Sequence, residues 1–341
     1  MTAAARTRLD DLWERGRRFL GTDLAILCGA MSWVSERHLV AAISNGGGFG
    51  VLACGSMGPD LLAAEIMATQ ALTQKPFGVN LITLHPQLDQ LIEVCGQAKV
   101  AHVVLAGGLP SAASIKRLKD LGAQVTCFAP ALVLAKKLVR SGADALVIEG
   151  SEAGGHIGPV STSVLAQEIL PQVRDVPVFV AGGIGRGEAI LSYLEMGAAG
   201  CQLGTRFVCA TESIAHPKFK QAFLRAQARD AQPSVQVDAE FPVIPVRALV
   251  NPATKRFQEV QAEVIARYRA GQLDRESAQL EIEHFWAGAL RRAVIDGDVE
   301  NGSLMAGQSV GMVTREQPSA EILSELVDQA VAALAARDRA A

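Results

Sequence analysis

No segment of the 341-residue chain holds roughly 18 uninterrupted apolar residues, the length a membrane helix needs, so no membrane span is expected. Nor is there an excess of one charge: 32 Lys and Arg against 35 Asp and Glu leave a formal −3, with no basic stripe to attract a nucleic acid. Six cysteines (Cys28, Cys54, Cys95, Cys127, Cys201 and Cys209) form no C-x-x-C pair, so reduced thiols and no metal site are expected. The stretch 1–18 mixes Arg6, Arg8, Asp10, Asp11, Glu14, Arg15 and Arg17 and lacks the apolar centre of a signal peptide; a cytoplasmic protein is the expectation. Against these absences stand 49% apolar and 20% charged residues, the composition of a chain that folds around a core.

Short apolar runs recur along residues 24–205 with amphipathic stretches between them. The runs Leu24–Cys28, Gly50–Ala53, Gly78–Leu81, Ala101–Leu105, Gln124–Phe128, Ala145–Ile148, Val178–Ala181 and Cys201–Gly204 read as eight strands buried on both faces, as parallel strands under helices are. Punctuation supports the helices between them. Ser111 can cap Ala112–Leu121 ahead of Gly122, and Leu132–Arg140 stops at Ser141-Gly142. Eight β-α units favour a closed α/β barrel, the (β/α)8 or TIM barrel, over a doubly wound sheet. A dinucleotide-binding half would also show G-x-G-x-x-G after its first strand, where this chain has Cys28-Gly29-Ala30-Met31.

Beyond Thr205 the pattern changes. Thr211–Arg229 and Thr254–Ala289 read as helical, with a proline-bearing stretch from Pro233 to Pro252 between them. The expected organisation is a barrel over 1–212, a smaller, mainly helical inserted lid over 213–289, and a tail over 290–341 whose last helix, Ser319–Ala336, closes the barrel floor. Phe241, Phe257 and Phe285 fall in the lid and are expected to face either an acyl chain or the barrel.

Barrel chemistry sits at the C-terminal strand ends. After the sixth strand the segment Glu149 to Pro159 is longer than the about two to six residues usual for such a connection, and its glycines surround His156. An imidazole there suits proton transfer. His38, His85, His102, His216 and His284 sit in helices, at a strand start or beside prolines and are expected to be structural or exposed. Ala181-Gly182-Gly183-Ile184 after strand seven and Gln202-Leu203-Gly204-Thr205 after strand eight offer bare backbone N–H groups where barrels hold phosphate, with the Thr205 hydroxyl as an added donor. A phosphate cradle alone would also serve a flavin-free barrel such as a sugar-phosphate isomerase, and that alternative stays open on these residues.

Five segments in order, Pro76-Phe77-Gly78-Val79-Asn80, Glu149 to Gly158 (EGSEAGGHIG), Ala181 to Ile184, Leu203 to Phe207 and Asn301 to Gln308 (NGSLMAGQ), resemble the family of nitronate monooxygenases and type II enoyl-acyl-carrier-protein reductases. The resemblance implies FMN at the barrel mouth, with NADH or NADPH as a reductant. It implies a phosphate on Gly182, Gly183, Gly204 and Thr205, with Ala181 and Gln202 beside it. Gly29, Ala30 and Met31 would line the isoalloxazine, Asn80 would reach its polar edge, and Glu149, Gly154 and Gly155 would shape the pocket. Met305 and Gln308 would fold back from the tail, and His156 matches the catalytic histidine. Within the family the EAGGHIG form, the tail and Pro245-Val246-Arg247-Ala248 look most like the enoyl reductases, with nitronate oxidation and quinone reduction as alternatives. The implied partners are an acyl thioester, an acyl carrier protein and a second copy of the chain as a homodimer. One departure stands out: the family's glutamine after strand one is replaced by Cys28, which cannot supply an amide's paired donor and acceptor.

Overall fold

The computed structural model describes residues 2–340, so the terminal residues of the expected boundaries, Met1 and Ala341, lie outside the described residues. Parallel strands β1 (Ile26–Cys28), β2 (Phe49–Ala53), β3 (Phe77–Ile82), β4 (His102–Ala106), β5 (Gln124–Phe128) and β6 (Ala145–Glu149) pair in chain order. A two-residue strand β7 (Gly155–His156) leaves the series, and β8 (Val178–Ala181) and β9 (Gly200–Leu203) complete it, β9 pairing back onto β1 to close the barrel. All eight expected strands are present, their ends moved by a residue or two. β7 joins β10 (Ala231–Pro233) and β11 (Val246–Leu249) in a separate three-stranded sheet.

The near-continuous apolar runs have the two destinations that alternation along a strand dictates. One set of side chains, including Cys28, Val79, Leu105, Ile148, Val180 and Leu203, packs outward under the helices. The other, Leu27, Phe49, Val51, Val104, Ala145, Val147, Phe179 and Ala181, fills the lumen together with Leu20. Helix ends follow their sequence signals. Ser111 accepts the Ser114 N–H at the start of Ala112–Asp120, and the helix Leu132–Arg140 has the limits read from its sequence.

The floor differs from expectation. The last helix, Ser319–Ala340, lies in the outer ring: Leu323 packs against Gly46 and Gly48, and its Leu326 carbonyl meets Gly187. The N-terminal helix Glu14–Leu20 plugs the floor instead, setting Phe19 edge-on to His102 at 5.3 Å and within 6.1 Å of Phe179. An amphipathic stripe on a helix says that one face is buried and is silent on which side of a barrel receives it.

After the barrel, Pro217–Arg225 forms a shorter helix than expected, begun by a proline at its first turn. The helical stretch 254–289 is two helices, Pro252–Arg269 and Arg275–Val294, the second running past Ala289. Phe241 and Phe257 are buried in a core of the lid's own, with Val246, Val264, Ile282 and Trp286, and Phe285 packs on its edge. Phe241 and Phe257 are therefore taken up by the lid's own core rather than by a contact layer on the barrel. Two helices and a small sheet need a core between themselves, and the lid's few large side chains are used there.

Candidate active site

At the C-terminal end of the lumen the filling turns polar. Asn80, Glu149 and Gln202 are register partners of the lumen-facing residues Val104, Ala181 and Leu27, so the three share the inner face. Asn80 donates its Nδ2 to the Val104 carbonyl at 3.0 Å, which fixes the amide and leaves its oxygen available. The side chains of Glu149 and Gln202 make no hydrogen bond among the described residues. Gln202 lies against Gly29, whose place a Cβ would fill at 3.0 Å from Nε2. Burial in these apolar walls pushes the Glu149 carboxyl up to about 8, with desolvation as the cause, so protonation is favoured well above the usual carboxylate range.

Beside this rung stands the glycine cradle. Gly182 and Gly183 have φ of 97° and 72°, and a Cβ on Gly183 would lie 2.9 Å from Glu152 Cβ, so both backbone strain and space require glycine. The amides of Gly182, Gly183 and Gly204 donate to no partner among the described residues. Arg206 follows directly, 3% exposed, with Nη2 on Glu325 at 3.0 Å and both Nε and Nη1 unpaired. The Thr205 hydroxyl, expected to face a phosphate, accepts the Gly307 N–H at 2.9 Å and so ties down the tail; its own proton remains to donate.

The loop after β6 is anchored on several sides. Glu152 accepts the Thr162 N–H at 2.9 Å, and buried Arg247 donates Nε to the Ser151 carbonyl at 2.8 Å and Nη1 to the Ala231 carbonyl at 2.6 Å. Gly155 and His156 pair with Arg247 and Val246 of the lid, placing an exposed His156 where barrel loop and lid meet. The tail crosses this loop so closely that a Cβ on Gly154 would stand 2.6 Å from the Ala306 carbonyl carbon. There the Gln308 N–H donates to the Glu152 carbonyl at 2.9 Å, and Met305 bridges Ala248 of the lid. Gly155, Met305 and Gln308, distant in sequence, thus come together.

The loop after β1 gathers Gly29, Ala30 and Met31 at the mouth. Ser35, which sequence reasoning missed, fixes it: its hydroxyl donates to the Gly29 carbonyl and accepts the Met31 N–H, both at 3.0 Å. Met31 sulfur lies against Gly204. Cys28 is a buried thiol facing the helices, pushed up to about 12 by burial, so it contributes nothing to the lumen. Thr162, Glu152 and Arg247 were also missed as site residues, although Glu152 lies in the EGSEAGGHIG segment and Arg247 in the PVRA segment. Three other histidines have evident structural partners: His38 on Glu36, and His85 and His216 accepting backbone N–H groups of Gln87 and Lys218.

FMN needs an anion cradle and polar contacts around a flat ring. Three unpaired loop amides meet the first need, and an inner rung of amide, carboxyl and amide side chains meets the second. The residues fit the group. Among the described residues no group of three or more His, Cys, Asp or Glu could hold a metal ion, and no helix is long and apolar enough to cross a membrane.

The family model for nitronate monooxygenase matches residues 15–329. The fold is shared with FabK from Thermotoga maritima at a TM-score of 0.86 and 34% identity over 96% of this chain and 99% of that one. A Mycobacterium tuberculosis protein, (3aS,4S,5R,7aS)-5-hydroxy-7a-methyl-1-oxo-octahydro-1H-indene-4-carboxyl-CoA dehydrogenase, is 30% identical over 92% of this chain and 94% of its own. The nitronate monooxygenase of Paraburkholderia phytofirmans is 29% identical over 90% and 92%.

Proposed function

We propose, from the premise that this chain belongs to the nitronate monooxygenase family, that it is an FMN enzyme reducing an enoyl thioester at the expense of NADH or NADPH. The family's members are flavin-dependent oxidoreductases, and this chain is one of them. The observation that carries the thioester reading is the way the lid and the tail are built into the mouth, β7 pairing with β11 and the tail crossing the loop after β6. Likeness to FabK extends over nearly the whole of both chains, and a relative whose name specifies a CoA thioester supports the same reading.

When bound, FMN supplies hydride transfer between the nicotinamide and the substrate. The protein's part is orientation and proton handling. The amides of Gly182, Gly183 and Gly204 would hold the phosphate, and Asn80, Glu149 and Gln202 the polar ring edge and the ribityl chain. Gly29, Ala30 and Met31, fixed by Ser35, would close one side of the ring. His156 would deliver a proton to the α-carbon of the thioester as the β-carbon is reduced. An acyl thioester, free or on an acyl carrier protein, is the expected partner.

Anaerobic mixing tests the reading. The purified protein is expected to be yellow, to bleach with NADH or NADPH, and to recover its colour with a crotonyl thioester. A nitronate that reduces the flavin directly, while neither nucleotide does, would replace this reading with nitronate oxidation, the reaction named for the Paraburkholderia relative. Recovery of colour only with a quinone would make the protein a quinone reductase. A colourless protein that gains nothing from added FMN would return the barrel to flavin-free phosphate chemistry.

A further inference from the structure

Glu149 is an acid with no counter-charge. It ends β6 on the inner face of the barrel, partly open to the mouth, and has no hydrogen bond or ion pair among the described residues. Its register partner on β8 is Ala181, and the next two residues are Gly182 and Gly183, whose amides are unpaired. A carboxylate here would therefore stand beside the place where the chain is prepared for an anion. Two negative groups at neighbouring strand ends, in apolar walls, oppose one another.

No neighbouring group relieves this. On the inner face the companions are Asn80, Gln202 and Thr126, all uncharged, and among the described residues the titratable side chain of the lumen below, His102, is at the floor between Phe19 and Phe49. Around the mouth Glu152 is held by Thr162, Arg247 by the carbonyls of Ser151 and Ala231, and Arg206 by Glu325. His156 is exposed on β7, and the thiols of Cys28, Cys127 and Cys201 belong to the outer layer. Desolvation alone acts on the carboxyl.

We propose that Glu149 serves the bound flavin as a neutral acid, offering an O–H donor beside the phosphate cradle, and that loss of its proton in alkaline solution weakens the hold on the cofactor. Cofactor retention thereby becomes pH-dependent in a range set by one side chain. The inference rests on the flavin reading of the mouth. It adds to that reading the protonation state in which the site works and the condition under which it empties.

The experiment measures the FMN dissociation constant by quenching of flavin fluorescence between pH 6.5 and 9.5, on the full chain stripped of cofactor and on Glu149→Gln. Glutamine keeps the shape and the donor and cannot ionise. With the carboxyl titrating at about 8, only the protonated fraction binds well, and the wild-type constant is expected to rise about 30-fold across this range. The variant is expected to bind within about threefold of wild type at pH 6.5 and to stay flat above it. A parallel rise in both proteins would overturn the proposal, since the pH dependence would then belong to the flavin or to another group. So would a variant that binds poorly at every pH, because a neutral side chain would then not suffice. If neither protein takes up FMN at pH 6.5, the flavin reading itself fails and the inference falls with it, a result distinct from the other two.

Discussion

The two ends of the barrel are built from the same strands and behave as opposites. At the floor, the inward positions carry Phe49, His102 and Phe179, closed from below by Phe19 and Leu20. At the mouth they carry Asn80, Glu149 and Gln202, with glycine loops above. The floor buries apolar surface and leaves little to bind; the mouth leaves amides and side-chain polar atoms without partners. Unsatisfied polar groups cost stability, so an open mouth requires a floor that supplies it. His102 shows how strict the floor is: edge-on to Phe49 at 5.1 Å, it leaves its Nδ1 unpaired, and burial lowers its pKa to about 4.

Four substitutions test that division, and the largest effect is expected at the floor. Phe179→Ala removes a fully buried ring and should cost about 3–5 kcal/mol in urea unfolding, while the folded fraction keeps its flavin. Loss of flavin with stability intact would break the comparison. His156→Ala belongs to the mouth and should do the reverse, lowering turnover about 10²-fold or more with FMN bound and the unfolding midpoint unchanged. Full activity with every substrate would make His156 a structural residue of the small sheet.

Gly183→Val should strip the flavin, read as the ratio of flavin to protein after purification. The left-handed backbone at 72° adds a stability loss of about 1–2 kcal/mol for any residue with a Cβ, so this variant touches both sides of the division, the binding side more. An unchanged flavin ratio would remove the cradle assignment. The smallest effect is expected from His102→Leu in acid. The folded protein holds this histidine neutral to about 4, whereas the unfolded chain takes a proton from about 6.5 downward. The wild type should therefore lose stability between pH 6.5 and 4, and the variant should lose less, by about 2 kcal/mol at pH 5. Equal acid sensitivity would show that His102 is not what limits the floor.

Much of the barrel was legible because its signals are local. Val178-Phe179-Val180-Ala181 reads as a strand buried on both faces, and it is one, with alternate residues on the two shells. Ser111 and Gly122 bracket a helix that ends within a residue of its expected limit. The lid was legible as a change of pattern, yet the destinations of Phe241, Phe257 and Phe285 were not, since a buried aromatic carries no mark of the partner it will meet. Similarly, Ser319–Ala340 declared an apolar face without declaring that the N-terminal helix would take the floor.

The candidate site divides the same way. The glycines at the strand ends and the long loop around His156 stood out because a backbone that must turn or be approached closely restricts its own residue type. Ser35, Glu152, Thr162 and Arg247 carried no such mark, since their roles are hydrogen bonds made to other segments after folding. By itself the sequence determined the strands, the helix stops and the glycine-rich strand ends, all consequences of periodicity and backbone freedom among adjacent residues. Only the tertiary structure decided that Asn80, Glu149 and Gln202 share one face, that β7 enters the lid's sheet, and that burial raises the pKa of a glutamate at the mouth. Those outcomes depend on strand register across the closed barrel and on exclusion of water from its lumen, which no stretch of neighbouring residues contains.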